Sequence, residues 1–143
     1  MPVFLDTNVF LFAAGADHPL REASQQLLRR VTQGDLAAKT STEVVQEILY
    51  VLRRRNLPDV ALKLARSTLA LFPDLLPVTR ADMAAACGFL DRYPELPTRD
   101  AVHAATVLNN GLSAVISSDK HFQGLVEVRW IPLAQAHAFS EEG

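Results

Sequence analysis

The sequence lacks the features of a secreted, membrane-spanning or nucleic-acid-coating protein. It has one cysteine, Cys87, in 143 residues, so no internal disulfide can form and the core must stabilise the fold. That usage fits a reducing cytoplasm, and Cys87, in the run Met83-Ala84-Ala85-Ala86-Cys87, reads as a buried core thiol. No basic segment followed by an apolar run stands at the start, where Asp6 interrupts the one candidate, so a secretory signal is not expected. No apolar run approaches the ~20 residues that a bilayer demands, so no membrane association is expected. Basic charge is not in surplus either: 14 Lys and Arg stand against 16 Asp and Glu, a formal net charge of −2. This argues against coating nucleic acid by bulk electrostatics. It does not exclude an enzyme that gathers acids in a site and meets an anionic substrate through a cation. Internal repeats, low-complexity tracts and interdomain linkers are absent as well.

What is present is a chain that is 49% hydrophobic and 21% charged, the composition of one folded domain over residues 1–143. Short apolar runs at Val3 to Leu5, Leu36 to Lys39, Leu75 to Val78, Ala114 to Ser117 and Val128 to Ile131 read as strands. Helical patterns lie between them, from Pro19 to Gln33, Ser41 to Arg55, Pro58 to Phe72, Arg80 to Arg92 and Arg99 to Asn110. The alternation predicts an α/β fold with a parallel sheet. Helix ends are legible in places. Thr40 and Glu43 have capping-box spacing, Thr79 and Asp82 the related Thr-x-x-Asp spacing, and Gly111 is placed as a C-terminal stop. Tyr93-Pro94-Glu95-Leu96-Pro97-Thr98 reads as a stiff loop that fixes the start of the next helix, with Thr98 as its N-cap.

Two of the strands run into acids. Val3-Phe4-Leu5 leads to Asp6, and Ala114-Val115-Ile116-Ser117 leads through Ser118 to Asp119. Sites in open α/β sheets form outside the carboxyl ends of the strands, so these acids can converge although they lie far apart in sequence. Each also has a plain structural reading: Asp6 as a turn or N-cap aspartate, Asp119 as part of Ser-Ser-Asp turn chemistry. Asp100, in the first turn of its helix, gains from the helix dipole without any function. On the helix that begins at Ser41, Val44, Val45, Ile48, Leu49, Val51 and Leu52 form the buried arc. Glu47 lies roughly 40° from Val51 and so borders the core, where periodicity alone leaves it equally a cleft-facing carboxylate or a solvated edge residue, while Glu43, roughly 80° away, is accounted for by capping. Asp6, Glu47, Asp100 and Asp119 are therefore the candidate catalytic and metal-ligating residues. Oxygen ligands without a His or Cys cluster suit Mg²⁺, with Mn²⁺ as a substitute, rather than zinc. Two like charges 4 Å apart cost roughly 4 kcal/mol at an effective dielectric of about 20, so such a cluster calls for a cation or shifted protonation.

The remaining candidates have simpler readings. His103 reads as a packed, hydrogen-bonded core histidine, and His18, His121 and His137 show no metal spacing. Arg53-Arg54-Arg55 complements a helix dipole, which leaves room for an RNA contact. Phe72, Phe89 and Trp130 read as core.

Together Leu5-Asp6-Thr7-Asn8, Glu47 within a helix, Arg99-Asp100-Ala101-Val102-His103-Ala104-Ala105 and Ser117-Ser118-Asp119-Lys120-His121-Phe122 resemble the PIN-domain nucleases. The compact length and the Arg-Asp-Ala-x-x-Ala-Ala and Asp-x-x-Phe stretches resemble VapC-type toxins of toxin-antitoxin pairs. The resemblance covers the whole chain. It implies a PIN-like three-layer fold with a central parallel sheet of about five strands flanked by helices. It also implies metal-dependent hydrolysis of RNA phosphodiester bonds, a homodimer and inhibition by a cognate antitoxin. By the same resemblance Asp6, Glu47, Asp100 and Asp119 are the family's acids, and Ser117 stands where a hydroxyl lies near the metal. Thr7 and Asn8 would orient Asp6 or its water. One departure concerns His121, which occupies a position where some members carry a further acid. A housekeeping RNA-processing PIN nuclease and a catalytically silent PIN binding module are the alternatives. A haloacid dehalogenase-type phosphoryl-transfer enzyme also begins with strand-Asp, but it wants a second aspartate where this chain has Asn8.

Overall fold

The computed structural model describes residues 1–140. Four parallel strands, β1 (Val3–Leu5), β2 (Ala38–Lys39), β3 (Val115–Ser117) and β4 (Trp130–Pro132), form one sheet in the order β2-β1-β3-β4. Register pairs Val3 with Ala38, Leu5 with Ile116 and Ile116 with Ile131. β1 and β3 are buried throughout, as near-continuous apolar runs should be when helices cover both faces of a parallel sheet. The helices are α1 (Thr7–Ala14), α2 (Arg21–Thr32), α3 (Thr42–Arg54), α4 (Pro58–Leu71), α5 (Arg80–Arg92) and α6 (Thr98–Asn109). Short 3₁₀ segments follow at Lys120–Gly124 and Leu133–Ala138. Among the described residues no helix is long and apolar enough to cross a membrane.

The expected fifth strand, Leu75 to Val78, is reduced to a single bridge between Ser41 and Leu76. Thr42 N donates to Leu76 O at 2.9 Å and Leu76 N donates to Thr40 O at 3.0 Å. Pro77 follows and has no N–H to carry the ladder further, so the sheet has four strands. α1 was not among the expected helices. Its run Val9-Phe10-Leu11-Phe12-Ala13-Ala14 shows no polar face from which a helical period can be read. Two caps also move. Ser41, not Thr40, caps α3, its Oγ accepting from Val44 N at 3.4 Å, while the Thr40 hydroxyl donates to Leu5 O at 3.0 Å and secures the end of β1. Pro97, not Thr98, occupies the N-cap position of α6, since its fixed φ already sets the chain for helix entry. The Thr79 and Asp82 capping box on α5 forms as expected, and Gly111 follows α6 with φ +63°. Cys87 is exposed rather than buried, because α5 turns Asp82, Ala86 and Phe89 inward. Phe72 and Phe89 are core, and Trp130 packs against it with its Nε1–H donating to Ser117 O at 3.0 Å.

The strand order sets the position of the site. The chain runs from β1 to β2 on one side, then returns to place β3 and β4 on the other. The topological switch therefore falls between β1 and β3, and ligands bind in the crevice outside the carboxyl ends of such a strand pair.

Candidate active site

Asp6 directly follows β1 and caps α1, its Oδ1 accepting from Thr7 N at 2.7 Å. Its other oxygen accepts from Ser117 Oγ at 2.6 Å. Ser117 ends β3, and its Oγ also accepts from Asp119 N at 2.9 Å and from Asn8 Nδ2 at 3.2 Å. Asn8 Oδ1 accepts from Ser118 N at 3.3 Å. The ends of β1 and β3 are thus tied by one hydroxyl and one amide, and both acids that follow the strands are oriented by that tie. The capping reading of Asp6 and its placement in the cluster hold together. Thr7 contributes its backbone N–H, while its buried hydroxyl has no hydrogen-bond partner among the described residues.

Asp100 enters from the first turn of α6 and Glu47 from the core-facing side of α3. Asp6, Glu47 and Asp100 are only 4%, 7% and 6% exposed. All four expected acids line one small cavity of about 170 Å³, with Arg55 and Arg99 at its margin. Glu43 lies further out, half-buried on α3, and does not take the capping role expected of it, since Ser41 supplies the cap. Arg99 lies 3.8 Å from the outer oxygen of Glu47.

Two histidines belong to the cluster. His103 is fully buried and hydrogen-bonded, as expected, but its partners are the site's own acids: Nε2 lies 2.6 Å from Glu47 Oε1 and 3.3 Å from Asp6 Oδ1. His121, for which sequence spacing indicated no metal role, has Nδ1 at 2.6 Å from Asp119 Oδ1 and 3.1 Å from Asp100 Oδ2. One donor atom each of Asp100, Asp119 and His121 lie within 4.8 Å of one another. The signals were present but faint. His103 lies three residues after Asp100, on the same face of a helix, and His121 lies two residues after Asp119 in a tight 3₁₀ turn.

Crowding shows in the acid–base balance. Burial raises the pKa of Asp6, and the charge of Glu47 adds to it against the opposing pull of His103 and Ser117. Burial, together with Asp119 and Asp6, pushes Asp100 up to about 7. Burial alone would depress His103, but the hydrogen bond to Glu47 and the charges of Asp6, Glu47 and Asp100 outweigh it and raise the imidazole to about 9. The acids around Nε2 thus favour the cationic form of His103, which offsets part of the negative charge, while its buried Nδ1 has no hydrogen-bond partner among the described residues. Asp119 is lowered although burial opposes it, because the His121 backbone, the Asp100 carboxyl and the His121 imidazole supply hydrogen bonds and His121 adds its charge. An oxygen-rich set in which Asp6 and Asp100 resist ionisation while they are crowded together fits a divalent metal ion, with Asp6, Glu47, Asp100, Asp119 and His121 as available donors.

A family model for the PIN domain matches residues 3–127. Ribonuclease VapC23 of Mycobacterium tuberculosis is 36% identical over 120 residues, which cover 82% of this chain and 92% of that protein. Among solved structures, VapC20 of Mycobacterium tuberculosis, a Sarcin-Ricin loop cleaving toxin, is similar with a TM-score of 0.69 at 22% identity, over 89% of this chain and 98% of that one. The DNA-bound VapBC structure from Salmonella typhimurium is similar with a TM-score of 0.71 at 14% identity, over 93% of this chain and 98% of that one. At these identities the structural likenesses speak for the fold, whereas the family match and the 36% relative speak for descent. A parallel sheet with acids at its switch point, in a sequence matched along most of its length, makes this chain a member of the PIN-domain family, to which it belongs together with VapC ribonucleases.

Proposed function

We propose that residues 1–143 form a single-domain, Mg²⁺-dependent endoribonuclease, with Asp6, Glu47, Asp100 and Asp119 as its catalytic and metal-holding residues, acting in the cytoplasm as the toxin of a type II toxin-antitoxin pair. The observation that carries this reading is the convergence of the four acids on one polar cavity from β1, α3, α6 and the turn after β3. When bound there, Mg²⁺, or Mn²⁺ in its place, supplies a lowered pKa for an attacking water and charge stabilisation at the phosphoryl group.

The protein's own residues do the positioning. Ser117 and Asn8 fix the angle of Asp6, and Ser117 also orients the backbone at Asp119. His103 braces Asp6 against Glu47 from the buried side, and both carboxylates line the cavity. Arg55 and Arg99 at the margin offer cations to an RNA phosphate. Hydrolysis by water needs no covalent enzyme intermediate.

The toxin role is supported by the likeness to VapC ribonucleases and to VapBC structures. It implies a cognate antitoxin as partner, a homodimer as the working form and RNA as substrate. Induced expression in a bacterial host tests it. Wild type should arrest growth, Asp6→Asn should not, and co-expression of the protein encoded beside it should restore growth. Normal growth under wild-type induction, with RNA cleavage intact in vitro, would make the chain an RNA-processing PIN nuclease instead.

A further inference from the structure

The acid cavity, at about 170 Å³, is small and polar, so it suits a phosphate and an ion but leaves the bases of a substrate to be accommodated elsewhere. A second cavity of about 510 Å³ lies between the α5–α6 loop and the 3₁₀ segment after β3. Tyr93, Pro94, Leu96 and Leu125 give it apolar walls, and Glu95 and His121 line it as well. Its size and lining are those of a ligand pocket, mostly apolar with a few polar groups. His121 joins the two cavities, since its imidazole lines this one while Nδ1 lies 2.6 Å from Asp119 Oδ1.

Among the described residues, the polar side chains around the pocket are already engaged, with one exception. Arg92 is paired with Glu127 at 3.0 Å, and the Tyr93 hydroxyl donates to Glu127 at 2.7 Å and accepts from Val126 N at 3.2 Å. His121 is taken up by Asp119 and Asp100. Glu95 remains, exposed in a loop that Pro94 and Pro97 stiffen. A carboxylate offers two acceptor oxygens side by side. Among unpaired bases, guanine alone presents two adjacent donors, N1–H and N2–H, on its Watson–Crick edge. Single-stranded RNA is read in this way, by stacking on aromatic rings and hydrogen bonds to that edge.

Resting on the ribonuclease reading above, we propose that this cavity receives one unpaired guanine of the RNA substrate, adjacent to the phosphate held at the acids, with Tyr93 and Pro94 walling the base and Glu95 reading its edge. The pocket is thus a specificity site beside the chemical one. Gly124 lies in its wall, and a Cβ there would meet nothing within 4 Å, so a side chain can be started from this wall without a clash at its first atom.

The test is binding of the four ribonucleoside monophosphates to the metal-free, full-length protein, followed by nuclear magnetic resonance. Guanylate should shift Tyr93, Leu96 and Leu125 signals and bind roughly tenfold more tightly than the other three, the discrimination expected of a bidentate contact. Glu95→Gln should abolish the preference, and Gly124→Leu should abolish binding while leaving the remaining spectrum intact. Equal shifts with all four nucleotides, shifts elsewhere, or none would overturn the proposal. So would concentration-dependent shifts of the same residues without nucleotide, which would assign the cavity to a second copy of the chain. Because this measurement needs no cleavage, guanylate selectivity in a protein that cuts no RNA would preserve the pocket and defeat the nuclease reading. Cleavage without guanylate selectivity would do the reverse.

Discussion

His103 carries no exposed surface, yet the neighbouring Glu47 and Asp6 favour the cationic form of its imidazole. The sign of its effect on stability follows from the shift. Its pKa rises from 6.5 unfolded to about 9 folded, so the stability it contributes is full below pH 6.5 and is lost as pH rises through 9. Asp100 is raised from 3.8 to about 7, so its contribution also declines as pH rises through 7. In chelator, the melting temperature should therefore fall from pH 6 to pH 9, and His103→Gln should flatten the upper part of that slope. A melting temperature that rises across this window would contradict the assignment. Ser117 supports a second expectation. Its hydroxyl bonds Asp6 and the backbone of Asp119, so Ser117→Ala should weaken divalent-metal affinity about 10–100-fold, as losing an outer-shell partner does. Titration calorimetry measures this, and unchanged affinity would remove Ser117 from the support of the site. The four acids were legible in the sequence because strand ends and helix periodicity assign them to one edge. The two histidines were not, because a helical histidine among alanines looks like packing until the fold brings Glu47 and Asp6 against it.

At the scale of elements, α5 and α6 are joined by a buried acid with no part in the cavity. Asp82 completes the capping box with Thr79 N at 2.9 Å and accepts from Asn109 Nδ2 of α6 at 2.8 Å. Asp82→Ala leaves both donors unmet and should cost about 1–3 kcal/mol of stability. Metal affinity should stay as in wild type. Denaturant unfolding beside metal titration separates the two, and a parallel loss of affinity would mean that α5 positions the site through α6. Capping and stop signals on α5 and α6 were readable because they depend on residues within a few positions. The bridge at Leu76 was not, since whether an apolar run becomes a strand depends on its neighbours. Here Pro77 limits the pairing to one residue. α1 escaped for a different reason: Asp6 caps its N-terminus and Gly15 its C-terminus, but the apolar run between them carries no period.

For the molecule as a whole, the parallel α/β arrangement followed from the alternation of short apolar runs and longer helical patterns, while the strand order that creates the switch point between β1 and β3 came only with tertiary pairing. That switch point concentrates like charge, which a bound cation relieves. Excess Mg²⁺ or Mn²⁺ should therefore raise the melting temperature of wild type, and more so at pH 8 than at pH 6, where Asp100, pushed up to about 7, retains its proton. In Asp6→Asn the shift should shrink, and an equal shift would place the metal elsewhere. The decisive experiment is cleavage of a structured RNA pool by purified wild type, with Mg²⁺ and with chelator, beside Asp100→Asn purified in the same way. Wild type should cut only when Mg²⁺ is present, and Asp100→Asn should not cut although it remains folded. Cutting of equal extent by Asp100→Asn, or by wild type in chelator, would contradict the metal-dependent nuclease reading.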